Sequence, residues 1–175
     1  KYDAPVLSAG LTASTSTQVL AFESFEGTAA EIGYTVSNQF RDGTSDHYNR
    51  TDGSTSGSIS ISNVSGLYLG ADGTFFWAAE DTDDNGGDGL DEKTMTLNSV
   101  NIAGQSMVRV EGLFATGNNN GPGASQYDKD DYLFVEYRVD GGTWQKGLQF
   151  SYVRNGDDFN EPLALDTNFD GIFET

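Results

Sequence analysis

Tyr132-Leu-Phe-Val-Glu-Tyr-Arg-Val-Asp-Gly-Gly-Thr-Trp-Gln-Lys146 is the stretch that decides the fold class. From Tyr132 to Asp140 its residues alternate. Leu133, Val135, Tyr137 and Val139 fall on one face, with Glu136 and Arg138 opposite. Successive side chains of a strand point to opposite faces, so a period of two marks a strand with one face on a core. Asp140-Gly141-Gly142 supplies residues that tolerate a tight reversal, and Thr143-Trp144-Gln145-Lys146 is the return, so the stretch reads as a β-hairpin. A further strand is expected over Gly147 to Arg154.

Outward from the hairpin, no window sustains a helical period of 3.6. Strands are expected at Gln18–Glu23, Ile32–Val36, Ser58–Ser62, Phe75–Ala79, Lys93–Leu97 and Ser106–Thr116. The continuous apolar run Phe75–Ala79 predicts burial on both faces, and the last segment sets Val108 and Val110 against Arg109 and Glu111. Roughly nine to eleven short strands joined by Gly-, Asp- and Asn-rich loops predict an all-β fold. The expected architecture is an antiparallel β-sandwich of the jelly-roll kind. Residues 1–18 read as a linker or loosely held first strand, 19–175 as a single sandwich domain, and Gly117–Asp130 as the longest polar loop.

A chain of 175 residues is long enough for one sizeable core. Its formal net charge of -18 repels nucleic-acid backbones and anionic membranes, so neither is an expected partner. No apolar run reaches membrane-spanning length, which predicts no membrane insertion. There is no cysteine, so disulfides and thiol chemistry are excluded. The chain begins at Lys1, as it would if a leader had been removed, and its acidic, Gly-, Asn-, Ser- and Thr-rich composition points to a secreted or cell-surface module.

Two stretches concentrate oxygen ligands. Glu80–Glu92, EDTDDNGGDGLDE, holds 7 carboxylates and 3 glycines in 13 residues, directly after the apolar run. Carboxylates this dense repel one another unless a cation or water separates them. Oxygen ligands without sulfur or histidine suit Ca²⁺ rather than zinc or copper, so Glu80, Asp81, Asp83, Asp84, Asp88 and Asp91 are candidate ligands. The competing reading is a solvated acidic loop. The second stretch, Asp166-Thr-Asn168-Phe-Asp170-Gly171-Ile172-Phe-Glu174, has the spacing of an EF-type calcium loop. Asp166, Asn168, Asp170 and Glu174 would offer side chains and Ile172 its carbonyl; the alternative is a turn rich in Asp, Asn and Gly for local reasons.

Phe22-Glu-Ser-Phe-Glu-Gly27, His47-Tyr-Asn-Arg-Thr-Asp-Gly53, Tyr127-Asp-Lys-Asp-Asp-Tyr-Leu-Phe-Val-Glu-Tyr137 and the pairing of the hairpin with Asp166–Gly171 resemble calcium-stabilised jelly-roll modules of secreted multidomain bacterial proteins. The resemblance spans roughly residues 20–172. It implies a non-catalytic carbohydrate-binding or adhesion module accompanying polysaccharide hydrolases, lyases, nucleases or adhesins. It also implies a calcium ion bridging an early and a late strand, for which Glu23, Glu26 and Asp131 are the matching residues. Such modules continue past the Asp-Gly turn with further strands and a closing strand; here either the chain is cut short of it, or the first twenty residues or a neighbouring molecule would supply it.

His47 is the single histidine, so neither a His/Cys zinc site nor a Ser-His-Asp triad with its Gly-x-Ser-x-Gly elbow is at hand, and His47 is expected in a loop or at the surface. Sugar binding needs flat aromatic faces with polar neighbours. Trp77 belongs to the core run. Trp144, Tyr127 and Tyr152 are the expected exposed rings, with Arg50, Arg154 and Lys129 as partners for glycan oxygens. The expected function is a calcium-binding module that binds polysaccharide, appended to a carbohydrate-active enzyme. The alternatives are a structural or adhesive domain capable of strand exchange between molecules, and a small glycoside hydrolase or lyase with facing carboxylates.

Overall fold

In the computed structural model, residues 18–42, 46–53, 72–80, 82, 90, 92–115, 132–152 and 163–170 are described. They form no helix and eight strands: β1 (Tyr34–Val36), β2 (Phe40–Asp42), β3 (Asp46–Thr51), β4 (Phe76–Glu80), β5 (Met95–Leu97), β6 (Tyr132–Tyr137), β7 (Gln145–Tyr152) and β8 (Leu163–Leu165). All pairings are antiparallel, in three sheets ordered β1-β5, β2-β3-β4 and β6-β7-β8. The chain is therefore all-β with several antiparallel sheets.

The hairpin forms where the alternation places it. Tyr137 pairs with Gln145, and Gly142 N donates to Val139 O at 2.9 Å. The two central residues, Asp140 (φ 51°) and Gly141 (φ 72°), are both left-handed, which is the type I′ geometry matched to strand twist. The reversal is thus centred on Asp-Gly rather than Gly-Gly. The return strand is continuous from Gln145, so the two expected segments on either side of Gly147 are one strand, β7. Val135 pairs with Leu148 but Glu136 with Lys146, which leaves Gly147 as the extra residue of a bulge. A Cβ there would lie 3.3 Å from the Tyr137 ring, so glycine fits the bulge without pushing that ring aside.

An aromatic cluster joins the first two sheets. The Tyr34 ring of β1 packs edge-on against Trp77 of β4 at 5.5 Å, Trp77 meets Tyr48 of β3 at 5.0 Å, and Phe25 touches both Tyr34 and Trp77. Tyr48 is the one buried hydrophobic residue among the described residues, and burial pushes its phenol up to about 12. Edge-to-face pairs of this kind add about 0.5–1.5 kcal/mol each beyond area burial.

Several expectations change. Gln18–Glu23 forms no strand, although Phe22 O accepts a bond from Ile32 N. Residues 106–115 form none either: Met107 takes φ 55°, which breaks an extended run, and Met107 and Val110 are 87% and 83% exposed. Alternation makes a strand only where a partner ladder satisfies its amides. Phe75–Trp77 is half-buried and Ala79 exposed, so the run is not covered on both faces. His47, expected at the surface, is 2% exposed in β3, paired across the ladders with Arg41 and Glu80. Ser58–Ser62 and Gly117–Asp130 lie outside the described residues.

Gly141→Ala forces a Cβ into the left-handed region and is expected to cost about 1–2 kcal/mol in a denaturant titration. Asp140→Asn, which tolerates that region, should leave the midpoint nearly unchanged.

Candidate functional site

The side chains on one face of the β6–β7 hairpin form a row. On β6 they are Tyr132, Phe134, Glu136 and, just past its end, Arg138; on the return they are Trp144 and Lys146. Glu136 opposes Lys146 in the register, so these two share a face, and alternation carries Arg138 and Trp144 to it as well. The contacts agree. The Arg138 guanidinium lies 4.5 Å from the Trp144 ring centroid, and the Lys146 ammonium lies 5.0 Å from that of Phe134. Tyr132 stacks on Phe134 at 5.5 Å with 13° between planes. Trp144 and Tyr132 are 46% and 51% exposed. A half-exposed indole with a guanidinium on it is a flat apolar surface edged by hydrogen-bond donors.

On the same face, further along β7, lies a buried polar network. Gln149 pairs in space with Phe134, and Gln149, Ser151 and Asp166 are all buried, Asp166 with no exposed surface. Gln149 Nε2 donates to Asp166 Oδ2 and to Ser151 Oγ, each at 3.0 Å, and Ser151 Oγ donates to Asp166 Oδ2 at 3.4 Å. Asp166 Oδ1 accepts from Phe169 N at 2.6 Å, and Asp166 N donates to Gln149 O at 2.9 Å. Lys146 Nζ donates to Gln149 Oε1 at 2.6 Å. The network therefore runs from the buried carboxylate to an exposed ammonium of the row.

This places the first residue of the EF-type loop. Asp166 turns inward to the sheet, and Asn168 Oδ1 accepts from Asp170 N at 3.0 Å, while Asn168 and Asp170 are exposed. Phe169 takes φ 63° within the turn. A carboxylate has about four lone-pair positions, so Asp166 retains acceptor capacity beyond these bonds. Ile172 and Glu174 lie outside the described residues. In the acidic stretch, Glu80 reaches toward His47 Nδ1 at 3.7 Å, and Asp81, Asp83, Asp84, Asp88 and Asp91 lie outside. Among the described residues no three His, Cys, Asp or Glu side chains come together as a metal-ligand group.

The carboxylates assigned by resemblance cap backbone amides. Glu23 accepts from Phe25 N and Gly33 N, both at 2.9 Å. Glu26 Oε1 accepts from Thr74 N at 2.6 Å and Phe75 N at 2.7 Å, tying this turn to the start of β4. A Cβ on Gly73 (φ 91°) would stand 2.5 Å from that oxygen, so only glycine admits the carboxylate. Glu31, unforeseen in the sequence, accepts from the Ser24 hydroxyl, Glu26 N and Thr28 N. The Ser24 bond foremost, and then the backbone bonds, outweigh partial desolvation and hold its carboxyl below the usual 4.5. Glu23, Glu31, Tyr34 and Arg50 line a cavity of about 190 Å³ here. Arg50 donates to Phe25 O and stacks 3.6 Å above the Phe75 ring centroid. Asp131 lies outside the described residues.

Of the ring and cation candidates, Trp144 stands in the row and Arg50 in the cavity; Tyr152 closes β7. Tyr127, Lys129 and Arg154 lie outside the described residues. Sequence reasoning passed over Lys146 and Arg138 as binding residues, although alternation had set Arg138 on the polar face. Gln149 and Ser151 carried no signal, because their importance arises from pairing with β8. No family model, curated protein or solved structure matches the chain.

Asp166→Ala is expected to cost about 2 kcal/mol or more, by removing the acceptor that Gln149 and Ser151 share in the interior and the one that caps Phe169 N. Asp170→Ala, at an exposed position, should stay within about 0.5 kcal/mol in calcium-free buffer. Chemical denaturation of both variants checks the contrast. Because the folded-state pKa of Glu31 is depressed, the stability from its charged form is full above 4.5 and is lost as pH falls through the lowered value. Glu31→Gln should therefore flatten the fall of Tm below pH 4.5, measured against wild type from pH 6 down to about 2.5.

Proposed function

We propose that this chain is a secreted, non-catalytic module that binds polysaccharide through the Trp144 face and is stabilised by calcium, its sheets closing into a jelly-roll sandwich. In this reading it is appended to a carbohydrate-active enzyme. The observation that carries the proposal is Trp144, a half-exposed ring beside the tight Asp140-Gly141 turn, on a hairpin whose return strand β7 is paired with β6 on one side and β8 on the other. A rigid aromatic held in the open stacks on sugar C–H faces at little entropic cost.

Sandwich closure draws support from the opposite face of the same sheet. Leu133 faces Phe150, Val135 faces Leu148, and Phe150 faces Leu165 in the registers, with Phe114 packed 5.5 Å from Phe150. One apolar face on a sheet calls for a second layer. Calcium draws support from 27 acids against 9 bases and from the spacing of the Asp166 turn. Asp166, Asn168 and Asp170, with the Ile172 carbonyl and Glu174, would hold one ion, and the acids of Glu80–Glu92 another. The ion would supply charge neutralisation and cross-linking of loops. The second reading, an adhesive domain, is favoured by the exposed apolar side chains of Met107, Val110 and Leu113, which suit strand exchange or association between copies.

A glycan array probed in calcium, and again in chelator, tests the proposal. Saturable binding to a polysaccharide is expected, with Trp144→Ala weakening it more than about tenfold. Calcium at 100 times its Kd should add about 2.7 kcal/mol of stability, seen as a higher Tm than in chelator. Failure to bind any glycan in calcium rejects polysaccharide recognition in favour of the adhesive reading. An unchanged Tm on chelation removes calcium from both.

A further inference from the structure

We infer that the polysaccharide taken by this face is acidic, its carboxylate or sulfate groups engaged by Arg138 and Lys146 beside Trp144. The inference rests on the polysaccharide-binding reading above and adds the chemical class of the ligand. Its starting point is an imbalance. The chain has 27 acids and 9 bases, so a cation would be expected to find a carboxylate. Arg109 does, pairing with Glu111 at 3.0 Å. Arg138 and Lys146 do not: among the described residues, neither has a carboxylate within ion-pair distance. Both are exposed, and both are held against aromatic rings on one face of one hairpin.

Their orientation suits an external anion. Arg138 lies over Trp144, leaving the edge of its planar fork for two parallel bonds to a carboxylate or sulfate. Lys146 gives a hydrogen bond to Gln149, whose amide is fixed in turn by buried Asp166, so the ammonium is positioned in advance while further donors remain. Lys146 is on β7 and Trp144 just before it, two residues apart and so about 7 Å in extended chain, and an acidic group on Lys146 and a sugar ring on Trp144 can belong to one short glycan segment. Glu136, in register with Lys146, is the one acid of the row. It disfavours an anion laid midway between the cations and so selects acid groups that are spaced along the ligand. The overall negative charge opposes the approach of such a ligand, but it is screened beyond about 8 Å at physiological salt, and contact is decided by these local cations.

The test is a binding titration of the full chain, in calcium and in chelator, against polygalacturonate, its methyl-esterified form, a sulfated galactan, neutral xylan and single-stranded DNA. Wild type is compared with Arg138→Gln, Arg138→Lys, Lys146→Gln and, as a control that removes one positive charge elsewhere, Arg109→Gln; Tm is followed for each. Acidic glycan should bind at least about tenfold more tightly than its esterified form. Arg138→Gln and Lys146→Gln should each remove most of that preference, Arg138→Lys should restore part of it, and Arg109→Gln should leave it intact at unchanged Tm. The polyuronate and sulfated arms distinguish which acid group is read. Equal binding of esterified and acidic chains, insensitive to Arg138 and Lys146, overturns the inference and leaves the polysaccharide reading standing. Binding to no glycan, or to single-stranded DNA alone, overturns both.

Discussion

The constraint behind this structure is what becomes of surplus carboxylates, and the answer seen repeatedly is a main-chain amide. Glu23, Glu26, Glu31 and Asp166 each accept hydrogen bonds from backbone N–H groups of a turn. Such bonds do two things at once. They satisfy amides that no ladder reaches, and they close each turn with a side chain. Glu26 is the most consequential, since its amide partners at Thr74 and Phe75 lie far along the chain and bring the first turn onto the strand that carries Trp77. Amide capping and calcium are not exclusive, because a capped carboxylate keeps lone pairs for an ion.

The same economy of polar groups shapes the row of side chains on the hairpin. A polar side chain with no exposed surface, Asp166, would be costly alone. Gln149 and Ser151 satisfy it, and because each sits on β7 while Asp166 follows β8, the bonds also pin the register of those two strands. Gln149 then orients Lys146. The Gly147 bulge lies between them and turns Lys146 onto the Phe134 ring. Packing of the interior and presentation of the surface are therefore one arrangement, in which a change at Asp166 reaches an exposed ammonium through two hydrogen bonds.

The Tyr34, Tyr48, Trp77 and Phe25 cluster has a different character. It is held by ring edges meeting ring faces, and it joins the β1-β5 sheet to the β2-β3-β4 sheet. Tyr132 adds a polar link from the third sheet, its hydroxyl donating to Glu92 Oε2 at 3.0 Å. The strands β1, β2, β5 and β8 have three residues each, so their ladders are short.

What the sequence determined by itself is whatever depends on neighbours along the chain. Alternation from Tyr132 to Val139, together with the left-handed tolerance of Asp140 and Gly141, specified the hairpin and which face Arg138 would occupy, because strand period and turn conformation are local properties. The absence of a helical period likewise excluded helices. What only the tertiary structure decided depends on partners distant in sequence. The expected strands at Gln18–Glu23 and Ser106–Ala115 met no ladder and did not form. His47 was drawn inside by β2 and β4. Asp166 found its side-chain donors on β7, and Glu26 found its amides on the far side of a long connection. A carboxylate carries no mark in the sequence of whether an ion, water or an amide will satisfy it, since that choice is made by whichever donor the fold brings within hydrogen-bond reach.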